Sequence, residues 1–262
     1  MLVLIKGAGD MASGAALRLY RAGFDVAMTD MEKPTAIRRT VCFSEAIRLG
    51  QTHVEDVLAK RAYDAKEARR LMSKRIIPVI ADEDCSIKNE LLPDVLVDAV
   101  LAKRNINTKI DDAGIVIALG PGFCAGRDCH AVIETQRGHN LGRVIRSGSA
   151  APNTGIPGII AGYGAERVLR APADGLFMPK KSIGDIVKAG DCVAEVSGEP
   201  MLAAISGVLR GLLPEGSSVH KGMKSGDIDP RGIREYCLTV SDKSMAVAGG
   251  VLEAILSLSR RL

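Results

Sequence analysis

The sequence predicts an α/β protein: a parallel-sheet domain, then a small all-β domain, then a C-terminal helix. Three observations carry this reading. Short apolar runs alternate with helical patterns as far as about residue 120. A Gly-rich turn, GAGDMA (7–12), joins the first apolar run to the first helical pattern. Beyond Pro121 the signals shorten to strands punctuated by Gly and polar residues.

The elements follow in chain order. LVLI (2–5) is a buried parallel strand, and a helix over about 11–21 carries Ala12, Ala15, Ala16 and Leu19 on one face until Gly23 stops it. FDVAMTD (24–30) is the second strand. A helix over about 64–74, IIPVIA (76–81), a helical turn near 86–91, DVLVDAV (94–100) and GIVIALG (114–120) continue the alternation. Continuous apolar strands between helices indicate a doubly wound parallel sheet. HAVIET and LGRVI are two further strands, in a segment rich in Gly and polar residues. EYCLTV (235–240) is predicted as a strand before a last helix from about Lys243. That helix is capped by Ser241 or Asp242 and striped by Val247, Val251, Ala254, Ile255 and Leu258.

The all-β part contains a repeat. A shift of 32 residues lays Gly175 on Gly207, Gly184 on Gly216, Val187 on Val219 and Gly190 on Gly222. Two such halves predict the flattened barrel-sandwich of biotinyl and lipoyl carriers. The joining hairpin, EVSGEPMLAA (195–204), has no lysine, so the scaffold is expected without the carrier function. The expected domains are 1–125 (Rossmann-like, nucleotide-binding), 126–163 (Gly-rich connector), 164–232 (barrel-sandwich lacking a carrier lysine) and 233–262 (strand and helix).

Composition excludes several classes. In 262 residues 47% are apolar and only 3% aromatic, so the core is aliphatic, and the net charge is +4. Basic pairs such as Lys60–Arg61 and Arg69–Arg70 come without interleaved aromatics or zinc-finger spacing, which argues against nucleic-acid binding. No apolar run reaches the ~18 residues of a membrane span. The first residues lack the pattern of a signal peptide, so a cytoplasmic location with reduced cysteines is expected. The six cysteines form no CxxC, and no metal site is predicted.

The chemistry centres on Gly7-Ala8-Gly9-Asp10-Met11-Ala12, which fits G-x-G-x-x-G/A between a strand and a helix. Gly7 permits the tight turn, Gly9 lets a pyrophosphate approach the backbone, and Ala12 lets the helix pack on the sheet. The first helical N–H groups then face an anion, aided by the helix dipole. Asp30, 21 residues after Gly9, stands where a carboxylate accepts ribose hydroxyls. Asp98, at a strand end, and Lys103 are further candidates, because ligands of open sheets bind at that edge. Arg137 suits phosphate or carboxylate recognition by its planar fork. Asp10 carries negative charge inside the loop and blurs the ligand. The alternative is a Gly turn that serves packing alone.

Asp128, His130, Glu134 and His139 are the candidate acid–base groups. On a strand over 130–135, His130 and Glu134 share one face, poised for proton transfer. The alternative is a solvated hairpin with incidental charges. Cys124 and Cys129 read first as ordinary small, partly buried residues; the alternative, with Arg127 beside them, is a metal- or sulfur-handling site with a thiol of lowered pKa. In GDIDPRG (226–232), internal pairing of Asp227 and Asp229 with Arg231 is favoured over cation binding.

Taken together, GAGDMASGAALRLYRAGFDVAMTD, DAVLAKRN, GPGFCAGRDCHAVIETQRGHNLGRVI, GSAAPNTGIPG and GDIDPRG…SDKSMAVAGGVLEAI resemble the YqeB-type accessory proteins of the selenium-dependent molybdenum hydroxylase system. The resemblance spans nearly the whole chain. It implies a cytoplasmic bacterial protein that helps mature a xanthine-dehydrogenase-like molybdenum enzyme. The apo-enzyme or other maturation factors would be its partners, and a homo-oligomer is compatible. The cofactor of such enzymes is a molybdopterin, often as the cytosine dinucleotide. The expected ligand is therefore a nucleotide or dinucleotide, either molybdopterin cytosine dinucleotide or NAD(P). The rival functions are an NAD(P)-dependent oxidoreductase, with a hydride acceptor near His130 or His139, and a nucleotide-sensing interaction module without turnover.

Overall fold

The computed structural model describes residues 1–259, in two compact units. The first comprises Met1–Pro34, Cys42–Thr154 and Val240–Leu262; the second comprises Thr35–Val41 and Gly155–Thr239. These units do not follow the expected boundaries at 125, 163 and 232. A short strap, Thr35–Val41, leaves the first unit early to join the second.

The first unit is built on strands β1 (Leu2–Lys6), β2 (Asp25–Asp30), β3 (Gln51–Val54), β4 (Val57–Ala62), β5 (Ile77–Ala81), β6 (Val95–Asp98), β7 (Ile115–Leu119), β8 (Ala131–Ile133) and β9 (Val144–Ile145). Its helices are α1 (Asp10–Arg21), α2 (Glu45–Leu49), α3 (Ala65–Met72), α4 (Lys88–Leu91) and α5 (Asp242–Ser259). They form one nine-stranded sheet of order β3-β4-β5-β2-β1-β6-β7-β8-β9. The seven inner strands run parallel, and β3 and β9 are antiparallel at the two edges. The sheet is therefore mixed. The connection between β3 and β4 is only Glu55–Asp56, too short for a parallel crossover, so a hairpin is the available solution. Alternation along the strands divides the core. Leu4, Ala27, Leu96, Val116 and Val132 pack with α3 and α4 residues such as Ala68, Leu71 and Leu91. On the other side α1 meets β1 and β2, and α5 meets β7 and β8. The two helices approach closely at Gly14, where an added Cβ would lie 2.0 Å from Ser244 Oγ.

The second unit holds β10 (Val168–Arg170), β11 (Gly175–Pro179), β12 (Ile186–Val187), β13 (Cys192–Val196), β14 (Glu199–Leu202), β15 (Gly207–Leu212), β16 (Ser218–Val219) and β17 (Lys224–Asp229). They form two four-stranded antiparallel sheets, β10-β17-β15-β12 and β14-β13-β11-β16, around Phe177, Val196, Leu209 and Ile228. The 32-residue shift carries β10–β13 onto β14–β17 and one sheet order onto the other.

The expected fold class needs correction in both parts. The first sheet is not a purely parallel Rossmann-like sheet but a large mixed one with antiparallel edges. The second unit is not a clear biotinyl/lipoyl barrel-sandwich. Its two sheets are separate, their register shifts in the β10–β17, β13–β14 and β15–β17 ladders, and β12 and β16 pair over only two residues each. Bulges of this kind bend a strand and interrupt pairing. EYCLTV is likewise not a strand: Arg234–Cys237 forms a 3-10 turn, with Arg231 stacked 4.4 Å from the Tyr236 ring and Cys237 buried. The last helix does follow, and Ser241 caps it by accepting the Ser244 N–H at 3.1 Å. Among the described residues no helix is long and apolar enough to cross a membrane.

Candidate functional site

The strand order reverses at β1. From β1 the chain winds outward to β2 and β5, then returns to place β6 on the other side. In open α/β sheets a crevice forms at such a reversal, outside the carboxyl ends of the strands. The structure brings Gly7, Gly9, Asp10, Met11, Ala12, Asp30 and Asp98 to this edge. Gly7 is conformationally required there. Its φ is +98°, and a Cβ would lie 3.0 Å from the Ala99 oxygen, the residue after β6. Gly9 precedes α1, and nothing lies within 4 Å of the Cβ it lacks. The first turn of the 12-residue α1 thus presents backbone N–H groups and the positive end of the dipole.

The turn is held from beneath. The Ala8 N–H donates to Asp30 Oδ2 and the Met31 N–H to Asp30 Oδ1, each at 2.8 Å. Asp30 therefore spends one side of each oxygen on fixing the loop. Ser13 Oγ donates to Ala8 O and accepts the Phe43 N–H, while the Ser44 N–H also donates to Ala8 O. The Ser44 hydroxyl oxygen is fully buried and has no hydrogen-bond partner among the described residues.

Burial raises the Asp30 pKa above its ordinary 3.8, against the two backbone N–H groups, and Glu83 adds to the rise. A carboxyl raised on folding holds its proton longer in the folded state. It therefore favours folding below 3.8 and loses that contribution as pH rises through the folded value. The difference in unfolding free energy between the wild type and Asp30→Asn should fall over that interval and be flat above it; a difference that rises with pH would refute the assignment.

Lys6 is the residue that sequence reasoning missed. It ends β1, is 3% exposed, donates to Asn107 Oδ1 and lies 3.9 Å from Asp98 Oδ2. Thr108 Oγ1 donates to the same Asp98 oxygen at 2.6 Å, and the Val100 N–H donates to Oδ1 at 3.2 Å. A charged residue closing an apolar strand just before a Gly turn was the available signal. Asn107 and Thr108 carried none, because only the fold of the 99–112 loop delivers them. Lys103 lies on this loop, exposed and at φ +63°.

The other candidates lie elsewhere. His130 precedes β8 at the amino edge of the sheet, where Nδ1 accepts the Val116 N–H at 3.0 Å. Glu134 follows β8 at the opposite end. It is 5% exposed, and its oxygens accept the Gln136 and Ala151 N–H groups. Strand β8 covers only 131–133, so the two do not share a strand face and do not converge. His139 is exposed in the turn beyond Glu134. Asp128 accepts from Arg127 and from the Cys124 N–H; the Arg127 guanidinium holds its carboxyl below the usual range. Arg137 makes a two-pronged pair with Asp242 at the start of α5.

An activated thiol is not supported at Cys129. Burial pushes it up to about 12, with Asp128 and Cys124 adding to the rise. Burial similarly pushes Cys85 up to about 11. Both thiols are therefore expected to resist a disulfide reagent in the native protein at pH 7.5 and to react on unfolding; rapid native labelling of either, read by mass spectrometry, would contradict this. Among the described residues no group of three or more His, Cys, Asp or Glu side chains could hold a metal ion.

Fold and site together define a two-unit α/β protein with a glycine turn opening a helix at the reversal of a mixed sheet. Within that class the chain is a relative of YqeB of Escherichia coli (strain K12), a protein described as uncharacterized, to which it is 52% identical over 257 residues. The match covers 98% of this chain but only 48% of YqeB, so the chain spans about half the length of this curated relative. No family model matches. Among solved structures, an aspartoacylase family protein from Mesorhizobium loti is 13% identical, with 87% of this chain and 84% of that one covered and a TM-score of 0.30. A succinylglutamate desuccinylase/aspartoacylase from Rhodobacter sphaeroides is 16% identical at the same coverage, with a TM-score of 0.27. Superpositions this loose carry neither chemistry nor substrate to this chain.

Proposed function

We propose that the chain is the nucleotide-holding part of an accessory protein that helps mature a selenium-dependent, xanthine-dehydrogenase-like molybdenum hydroxylase. The ligand is a nucleotide or dinucleotide, with molybdopterin cytosine dinucleotide the foremost candidate, and the partner is the apo-enzyme or another maturation factor. One observation carries the ligand half of this reading: the Gly7–Ala12 turn opens α1 at the sheet reversal, with Gly7 locked by Ala99 and Ala8 by Asp30. Backbone N–H groups fixed in advance bind a diphosphate without the cost of ordering them. The maturation half rests on the sequence resemblance.

The residues of the cradle fit a pyrophosphate-containing group. Gly9 leaves room for close approach, and the buried Ser44 hydroxyl, whose backbone N–H donates to Ala8 O, lacks a side-chain partner among the described residues. An oxidoreductase reading is less well supported. His130 sits at the far edge of the sheet, and His139 follows β8, three strands from β1, or about 14 Å at ~4.8 Å per strand. Thermal unfolding with NAD, NADP, CTP, CDP and molybdopterin cytosine dinucleotide tests the proposal. A ligand at 100 times its Kd adds about 2.7 kcal/mol. Stabilisation by the cytosine-containing ligands supports it, stabilisation by the nicotinamide dinucleotides alone favours the oxidoreductase, and no stabilisation by any of them overturns it.

A further inference from the structure

The chain that enters the strap and the chain that leaves it hold the same residue of the glycine turn. Upstream, Asp30 Oδ2 accepts the Ala8 N–H at 2.8 Å. Downstream, the Ser44 N–H donates to Ala8 O at 3.0 Å, and the Phe43 N–H donates at 2.8 Å to Ser13 Oγ, which itself donates to Ala8 O. Between these clamps the chain passes through the second unit as the strap Thr35–Val41. There Ile37 O accepts the Leu212 N–H at 2.8 Å, and Arg39 Nε donates to Leu212 O at 2.8 Å. Arg38 donates to Asp227 Oδ2 through Nε and Nη2, and Thr40 Oγ1 donates to Cys237 O. Ile37 and Arg38 pack within 3.3 Å of the Cβ position of Gly211. The return from this anchorage is short. Thr40 to Phe43 is three residues, at most about 10 Å of extended chain, and the 3-10 turn Arg39–Val41 takes up part of it. Val41, Cys42 and Phe43 are 2%, 0% and 0% exposed, so this stretch is packed and holds no loop of spare chain. Lifting Arg39 and Thr40 by several ångströms therefore draws Phe43 and Ser44 away from Ser13 and Ala8.

We propose that the strap makes the second unit a regulator of the turn: the seating of Ile37–Arg38 on β15 and the clamping of Ala8 by Ser44 are one linked equilibrium, and the ligand binds the seated state more tightly. The inference rests on the diphosphate reading of Gly7–Ala12. In the seated state both the N–H and the O of Ala8 are held, so the amides that follow are ordered before the ligand arrives. In the unseated state the Phe43 and Ser44 donors are withdrawn, Ala8 keeps only Asp30, and the ligand must order the turn itself. A ligand shifts an equilibrium only by the difference between its affinities for the two states, and here that difference is the ordering cost. About tenfold is expected, inside the usual range for coupled sites. Coupling is reciprocal, so the ligand tightens the strap by the factor by which the strap tightens the ligand. Displacement of the strap from β15 is then the event that releases the ligand.

The test uses the full chain, with CDP as the probe. Amide exchange of the wild type is followed by NMR without CDP and at saturation. Protection of the Leu212 N–H, which donates to Ile37 O, should rise about tenfold, while that of the Lys180 N–H, which donates to Val193 O in the other sheet, stays the same. Gly211→Val sets a side chain where Ile37 and Arg38 now stand, on the second unit and outside the ligand-holding turn. It should weaken CDP binding about tenfold, and adding Ile37→Ala, which restores the room, should recover most of the loss. Unchanged circular dichroism confirms that both variants are folded; if Gly211→Val does not fold, the wild-type exchange decides alone. Two outcomes overturn the coupling while CDP still shifts the amides of residues 8–12: a Leu212 protection that CDP leaves unchanged, or equal CDP affinity in the wild type and Gly211→Val. A rise shared equally by Lys180 would be global stabilisation and overturns it too. Absence of any CDP shift at residues 8–12 in the wild type is the separate result that removes the diphosphate reading, and the coupling with it.

Discussion

Gly250→Ala is expected to lower the unfolding free energy by about 3 kcal/mol, the upper range for forced overpacking. The added Cβ would lie 2.1 Å from the Gly142 oxygen, 2.9 Å from Ile133 Cγ2 and 3.1 Å from the Gly142 carbonyl carbon. Two of these are backbone atoms, so no rotamer change relieves the contact. Gly142 is itself confined, with φ +79° and a Cβ position 2.5 Å from the Ala246 oxygen. Helix α5 cannot slide away, because Ser244 is seated against Gly14 and donates to Asp10 O at 3.1 Å. The displacement therefore also reaches the turn that opens α1, and ligand affinity should fall with stability. Gly249→Ala is the control one residue away. Its nearest neighbour is Arg18 Nη1 at 3.9 Å, so the better helix former should stabilise by up to about 1 kcal/mol. Urea unfolding with unchanged m-values reads both. Equal effects from the two substitutions would refute the packing account.

Asp98→Ala is expected to cost about 3–5 kcal/mol, as for a buried pair that loses one charge. It leaves Lys6 buried beside Asn107 alone and takes the acceptor from both Thr108 Oγ1 and the Val100 N–H. Lys6→Met should cost less, because Asp98 keeps those two donors. The double variant Lys6→Met/Asp98→Leu should recover part of the loss, since it leaves no charge uncompensated. A double-mutant cycle from urea unfolding measures the coupling. Additive losses would mean that the two charges do not interact across the reversal.

Much of the first unit was legible because its signals are local. Continuous apolar runs marked β1, β2, β5, β6 and β7 to within a residue or two, and GAGDMA marked the turn between β1 and α1. The edge hairpin β3–β4 was not legible. QTHV and VLAKRA are half-polar, and the connecting Glu55 adopts φ +53° without the glycine that normally signals such a turn. The 32-residue repeat read correctly at the level of strand positions, since Gly and apolar spacing fixes where strands begin. It could not reveal that the halves form two separate sheets with shifted registers, because register depends on pairing between strands distant in sequence. The acid–base cluster around β8 failed for a geometric reason. His130 and Glu134 alternate correctly on paper, but the strand is only three residues long and they flank it. Lys6 was legible in principle and overlooked, while Ser44, Asn107 and Thr108 reach the site only through tertiary structure.

The account stands on backbone amides at the mouth of the first β-to-α connection receiving a diphosphate. Amide chemical shifts recorded during titration with CDP, the minimal cytosine diphosphate, test this most directly. The account predicts saturable shifts at Gly9, Asp10, Met11 and Ala12 that share one Kd and weaken with salt. Saturable shifts confined to other residues, or none at millimolar CDP, would contradict it.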